Sequence, residues 1–260
     1  MKIWHMSGAG NDFMVMDARG LAQDFSALAL RLCAMTHADG FMAVGESQTG
    51  DFRLHFYNSD GTRGEMCGNG ARCICKFAYD RGIAPGVMTV ETDAGPVPGW
   101  RLEDELYRVK LNSPGVLDLH RRQDAAYVEL GNPGVPHCVV ELPSLEFSQR
   151  EELRQWAKAL RFDPAFPKGA NVNFFSVTGE GRVRILTYER GVEDYTLACG
   201  TGCGSVAAVL HTCGRLPQGR LLLENAGGML SVQTEPQQNG ELSLLLEGPA
   251  SVVGEYEVEL

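Results

Sequence analysis

Cys67 and Cys199 each begin a Cys-Gly-x-Gly segment, Cys67-Gly68-Asn69-Gly70 and Cys199-Gly200-Thr201-Gly202, spaced 132 residues apart. Helix formers and small residues follow each one, from Ala71 to Tyr79 and from Gly204 to His211, so each cysteine is expected at the mouth of a helix. Flanking glycines let the backbone turn tightly and aim several N–H groups at one point. The helix start adds the positive end of its dipole. Such a loop seats a carboxylate, and it is expected to lower the thiol below its free value of about 8.5. Two sulfurs of this kind suit the inversion of a stereocentre without a cofactor. One thiolate takes a proton from one face of a carbon and one thiol delivers a proton to the other. Backbone donors then meet the charge that builds on the adjacent carboxylate. The five lysines (Lys2, Lys76, Lys110, Lys158 and Lys168) lie in no recognisable phosphate-cup context for pyridoxal chemistry.

The elements that would hold these loops repeat. At the same offset Gly82 matches Gly214 and Ala94-Gly95 matches Ala226-Gly227, while Arg53-Leu54 lies beside Arg184-Ile185. A further echo pairs Asn11-Asp12-Phe13 with Asn171-Val172-Asn173-Phe174. Each copy runs as an extended segment, a polar loop, the cysteine motif, a helix, a glycine stop, a strand and an Ala-Gly turn. Strands are expected over Arg53–Tyr57 and Arg182–Tyr188, with Asn58-Ser59-Asp60-Gly61 as a turn. Gly82 and Gly214 stand where left-handed helix caps belong. Residues 26–35 form another helix, and Ser148-Gln149-Arg150-Glu151 is expected as a capping box opening one that buries Leu153, Trp156 and Leu160. Residues 220–259 alternate as a meander of strands. The expected fold is α+β, with two pseudo-symmetric duplicated domains. Residues 1–117 carry Cys67 and residues 118–249 carry Cys199, with a C-terminal strand near 250–260 returning to the first.

Composition narrows the class. The 260 residues are 44% hydrophobic, enough for each half to bury a core and too many for intrinsic disorder. A net charge of −10 argues against a phosphate backbone as partner. No apolar run reaches membrane-spanning length, and the start Met1 to Phe13 lacks a secretory stretch, so a cytoplasmic location is expected. The eight cysteines are then free thiols, with Cys33, Cys75, Cys138 and Cys213 expected as small buried apolar residues. The clusters at Cys67, Cys73 and Cys75 and at Cys199 and Cys203 lack the pair spacing of a zinc site, so no metal is expected.

The chain resembles the diaminopimelate epimerases over nearly its whole length. The resemblance rests on Met6-Ser7-Gly8-Ala9-Gly10-Asn11-Asp12-Phe13 and on Asn58-Ser59-Asp60-Gly61 leading to Glu65-Met66-Cys67-Gly68-Asn69-Gly70-Ala71-Arg72. It continues through Gly134-Val135-Pro136-His137, Ala170-Asn171-Val172, Tyr188-Glu189-Arg190-Gly191 and Ala198-Cys199-Gly200-Thr201-Gly202. It implies two domains, each a mixed sheet or barrel wrapped around a central helix, with an active site in the cleft between them. It implies a cofactor-independent isomerase interconverting LL- and meso-diaminopimelate, working as a homodimer. Cys67 and Cys199 would be the acid–base pair, and the N–H groups of Gly68, Asn69, Gly200 and Thr201 would hold the reacting carboxylate. Asn11, Asn58 and Asn171 would add side-chain amides. Glu189 and Arg190 would bind the far end of the substrate, and His137, with Glu189, would support and tune the sulfurs.

Three features depart from the family pattern. Val135 stands where Asn is frequent, with Asn132 as a displaced candidate; Glu193-Asp194-Tyr195 lengthens the approach to Cys199; and the surroundings of Ala38-Asp39-Gly40 vary. All concern substrate recognition, which leaves a racemase of another amino acid, such as histidine, as a second reading. A non-catalytic metal or redox protein is a third.

Overall fold

The protein is described by a computed structural model covering residues 1–21, 24–64, 67–216 and 218–258. It divides into two compact units, Met1–Val109 with Gly248–Leu260, and Lys110–Glu247.

In the first unit β1 (Lys2–Gly8) and β2 (Asn11–Asp17) form a hairpin whose turn residues Ala9 and Gly10 have φ of 57° and 86°. That pair of left-handed residues is what a tight two-residue hairpin demands, and Ala9 accepts it without the freedom of glycine. Helix α1 (Ser26–Thr36) then leads to β3 (Gly40–Gly45), parallel to β2, and β4 (Phe52–Asn58) returns antiparallel. A short β5 (Arg63–Gly64) precedes α2 (Gly68–Asp80) and β6 (Val87–Thr92), which lies parallel to β4. The strands β7 (Gly95–Arg101) and β8 (Leu106–Leu111) close the run as a meander.

The second unit opens with β9 (Pro114–Arg122) and repeats that course. The β10 (Ala125–Gly131) and β11 (Gly134–Glu141) hairpin is followed by a short 3-10 turn, Phe147–Gln149, and then α3 (Arg150–Arg161). Next come β12 (Asn171–Gly179), parallel to β11, then β13 (Arg182–Glu189) and β14 (Asp194–Thr196). Helix α4 (Gly200–Thr212) leads to β15 (Arg220–Asn225), parallel to β13, and β16 (Gly228–Pro236) and β17 (Leu242–Pro249) follow. The last strand, β18 (Ser251–Glu257), pairs antiparallel with β1 as β9 pairs with β10.

Packing explains why each unit needs two kinds of helix. The outer helices bury one face each: α1 sets Leu28, Ala29, Leu32 and Cys33 against Met14, Met16 and Phe41, and α3 sets Ala157 and Leu160 against Phe174 and Tyr188. Each fully buried Leu or Phe contributes about 1.5–3 kcal/mol. The inner helices are buried all round, from Gly68 to Ala78 in α2 and from Gly202 to Leu210 in α4. Small residues permit this. A Cβ on Gly204 would lie 2.7 Å from a Leu111 methyl, so glycine lets the helix axis approach its sheet. Gly82 and Gly214 terminate these helices with φ of 65° and 68°, as expected.

Four local expectations are corrected. Helices α2 and α4 start at Gly68 and Gly200 rather than Ala71 and Gly204, which makes Cys67 and Cys199 themselves the N-caps. The capping box is formed by Glu146 and Gln149, because a 3-10 turn precedes α3 and takes Ser148 into its interior. Cys213 is exposed, while Cys33, Cys75 and Cys138 are buried. Finally, Asn11 opens β2, whose counterpart β11 starts at Gly134, whereas Asn171 opens β12, the counterpart of β3. The Asn11/Asn171 echo is therefore no topological equivalence. Gly40 faces Asn58 across β3 and β4, and β12 and β13 bring Asn171 and Glu189 to the matching ends, so Asn58 and Glu189 hold corresponding places.

Candidate active site

Both cysteines cap their helices with similar backbone geometry. Cys67 has φ −127° and ψ 124°, and Cys199 has φ −123° and ψ 108°: extended residues whose carbonyls accept the first helical bonds, from Ala71 N at 2.7 Å and Cys203 N at 2.9 Å. The N–H groups of the next residues, Gly68 and Asn69 or Gly200 and Thr201, lie where a helix has no acceptor of its own. Glu65 and Met66, which precede Cys67, lie outside the described residues.

In the first unit the Cys67 loop is tied to the β1–β2 hairpin by a directed chain of side chains. Arg72, fully buried one turn into α2, donates to Gly68 O at 3.2 Å and to Asn69 Oδ1 at 2.9 Å. Asn69 Nδ2 donates to Asn11 Oδ1, and Asn11 Nδ2 donates to Asp39 Oδ2 at 3.1 Å. Asp39 also accepts from Asp12 N at 2.9 Å. Each amide is thereby fixed in sense by a group of unambiguous role: a guanidinium only donates, a carboxylate only accepts. The fit is close as well, since a Cβ on Gly8 would meet Cys73 Sγ at 2.8 Å and Asn69 O at 2.9 Å. Asn58 is not part of this chain. It is exposed at the end of β4, and its Nδ2 donates to Thr62 Oγ1 at 3.0 Å within its own turn.

In the second unit the Cys199 sulfur accepts from Gly202 N at 3.4 Å and lies 3.4 Å from Thr201 Oγ1. The chain beneath it is Asn173 with Thr187, which face each other across β12 and β13. Thr187 Oγ1 donates to Asn173 Oδ1 at 3.0 Å. His137 is fully buried, with Nδ1 at 3.1 Å from Asn173 Nδ2. Asn171 bridges two segments: its Nδ2 donates to Pro136 O at 3.2 Å, and its Oδ1 accepts from Arg190 N at 2.8 Å. The exposed Arg190 side chain donates to Lys168 O at 3.0 Å, beside half-buried Glu189. Asn132 sits exposed on the β10–β11 turn, and Val135 is exposed just beyond it.

Electrostatics separates these groups. Burial pushes the Cys199 thiol well above its ordinary range, and the charge of Glu189 adds to that, against the Thr201 hydroxyl and the Gly202 amide. The expectation of a thiol acidified by its helix is therefore corrected for Cys199: desolvation outweighs the donors, and the group is held as SH. Burial, then the Arg190 charge, push His137 down to about 3, so it is neutral at physiological pH. Among the described residues no cluster of three or more His, Cys, Asp or Glu is arranged to hold a metal ion, and no helix is long and apolar enough to cross a membrane.

Four contributors were not singled out for the site from sequence: Asp39, Arg72, Asn173 and Thr187. Two left a signal. Asn173 lies two residues from Asn171 and Thr187 two residues from Glu189, so strand alternation puts each on its neighbour's face. A lone arginine among the small and apolar residues of α2 is a third clue.

A family model described as diaminopimelate epimerase matches residues 3–110 and 130–253. The chain is 34% identical over 255 residues to the diaminopimelate epimerase of Aquifex aeolicus (strain VF5), covering 89% of each. It is 32% identical to that of Hydrogenobaculum sp. (strain Y04AAS1), covering 98% of this chain and 97% of the relative. In fold it is similar to a Bacillus anthracis phenazine biosynthesis protein of the PhzF family, with a TM-score of 0.76 at 16% identity over 100% of this chain and 99% of that one. A probable proline racemase from Agrobacterium radiobacter K84 gives a TM-score of 0.70 at 14% identity, over 100% and 93%. These neighbours have the duplicated α+β fold expected from the repeat.

Proposed function

The chain belongs to the diaminopimelate epimerase family and is an isomerase, and from that premise we propose that it interconverts LL- and meso-diaminopimelate by passing the α-proton between two cysteines. The observation that carries this reading is the matched pair of helix-capping cysteines, one in each unit, with near-identical backbone angles.

The reaction needs a base on one face of the α-carbon and an acid on the other. Cys199, held as SH, suits the acid, which leaves the half-buried Cys67 as the base. The Cys67 thiolate takes the α-proton, and the C–H electron pair moves into the carboxylate as an enediolate-like anion. As that pair returns to carbon, the Cys199 thiol delivers its proton to the opposite face. Cys67 is left as SH and Cys199 as thiolate, which is the starting state for the reverse direction. The N–H groups of Gly68, Asn69, Gly200 and Thr201 meet the carboxylate charge as it grows, in place before the reaction and needing no reorganisation. Asn11, Asn58 and Asn171 contribute amides. Glu189 takes the distal ammonium and Arg190 the distal carboxylate in a charge-assisted pair. His137 supports the sulfurs as a neutral group. No cofactor or metal enters the scheme.

The two units are the epimerase halves in this reading, divided between Val109 and Lys110, a little before the boundary expected near residue 117, with the last strand returning to the first. The enzyme works in the cytoplasm as a homodimer on a small amino acid, with no nucleic-acid or membrane partner.

Purified enzyme incubated with LL-diaminopimelate and a panel of L-amino acids, followed by chiral analysis, tests the assignment. Turnover of diaminopimelate ahead of every other substrate is expected. Turnover of another amino acid with diaminopimelate untouched would overturn it.

A further inference from the structure

The buried imidazole of His137 has one nitrogen with a partner and one without. Nδ1 faces Asn173 Nδ2 at 3.1 Å, while Nε2 is buried and makes no hydrogen bond. Which nitrogen carries the proton follows from Asn173. Its Nδ2 lies 3.0 Å from Cys138 O and 3.3 Å from Asn171 O, and both are backbone carbonyls that only accept. Turning the amide over would set its oxygen against those two carbonyls, so the NH2 end is fixed toward them. Thr187 Oγ1, donating to Asn173 Oδ1, holds the other end. An amide nitrogen cannot accept, so an N–H on Nδ1 would face a donor, whereas a bare Nδ1 can share one of the two amide hydrogens. The proton therefore sits on Nε2, as an unspent donor in an enclosed site, and such a donor is costly to bury unless it serves something.

The same side chain supports the neighbouring loop. A Cβ on Gly202 would lie 2.3 Å from Asn173 Oδ1 and 3.2 Å from Thr187 Oγ1, so the amide backs directly onto the residue whose N–H donates to Cys199 Sγ. One asparagine thus touches both the imidazole and the floor of the cysteine loop.

We propose that Asn173 is a positioning residue of this site: its amide holds His137 as the neutral Nε2–H tautomer, with that proton offered to the reacting species, while its oxygen seats Gly202 beneath Cys199. The proposal rests on the epimerase reading for its catalytic consequence, but the tautomer itself is defined without any substrate. A misplaced proton on His137 would point a lone pair where a donor is needed, and the loss would fall on kcat, since Asn173 is fully buried and acts through the imidazole.

The test uses the full-length protein labelled with 15N in its histidine rings, with the His137 signals identified by their disappearance in His137→Gln. In the wild type the bare nitrogen should be Nδ1, recognised by its coupling pattern to the two ring C–H protons; a bare Nε2 would overturn the proposal outright, and this measurement needs no variant to fold. In Asn173→Asp the carboxylate accepts, so the proton should move to Nδ1 and kcat should fall about 10–100-fold with KM held, the scale of losses when a partner that orients a functional histidine is removed. An unchanged tautomer in that variant, or a switched tautomer with unchanged kcat, would also overturn it. Thr187→Val, which removes a donor but not the two carbonyl acceptors, should leave the Nε2–H form in place. Failure of diaminopimelate turnover in the wild type would instead count against the epimerase reading and leave the ring spectrum to be judged separately.

Discussion

The α-carbon of Gly202 packs against the amide oxygen of Asn173 so tightly that a methyl group there would come within 2.3 Å of it. A helix glycine normally costs about 1 kcal/mol against alanine; here it is required by what lies opposite. Gly202→Ala must push Asn173 or the loop aside, and it should destabilise the protein by about 1–3 kcal/mol while lowering kcat. Gly214→Ala is the control. Its φ of 68° imposes only local strain, with nothing within 4 Å, so activity should persist. Chemical denaturation and steady-state rates on the two variants check this, and equal rates would show that the Asn173 contact does not matter.

Arg72 is the matching fixture in the first unit. Its guanidinium orders Gly68 O and Asn69 Oδ1, and Asn69 in turn orders Asn11. Lysine keeps the charge but not the planar fork. Arg72→Lys should therefore cost about 1.5–3 kcal/mol of stability, the scale of one lost charged hydrogen bond, and should raise KM as Asn69 loses the guanidinium that orients its amide and its loop. Thermal melting with kinetics reads both; an unchanged KM would remove Arg72 from the site.

His137 predicts a pH dependence of definite sign. Burial depresses its pKa to about 3 from an ordinary 6.5. Between those values the unfolded chain binds a proton that the folded one refuses, so stability falls as pH drops below about 6.5, by at most about 1.4 kcal/mol per pH unit. Above 6.5 the group contributes nothing to the slope. His137→Gln abolishes this component whatever its own cost to stability. Denaturation curves for both proteins from pH 7 to 4 should converge as pH falls, and parallel curves would contradict the burial argument.

Much of this was legible in the residues because the signals are local. Cys-Gly-x-Gly followed by small helix formers announces a capped helix within a dozen residues, and Gly82 and Gly214 announce where those helices end. The duplication was legible because punctuation at a fixed offset survives. What was missed is tertiary. The echo of Asn11 with Asn171 matched composition, while strand pairing alone shows that Asn171 corresponds to Gly40. The pKa of Cys199 is decided by desolvation and by Glu189, arriving from another strand, rather than by its own helix. Arg72 stands out in α2, but its partners, Gly68 O and Asn69 Oδ1, appear only once the helix is wound and buried.

The central claim is that two sulfurs share one proton transfer, and α-proton exchange in D2O with single-cysteine variants measures it most directly. With LL-diaminopimelate, the wild type should place deuterium at the inverted centre. Cys67→Ala and Cys199→Ala should each lose net epimerisation by several orders of magnitude while remaining folded by circular dichroism. A variant lacking either sulfur that still epimerises at the wild-type rate would contradict the account.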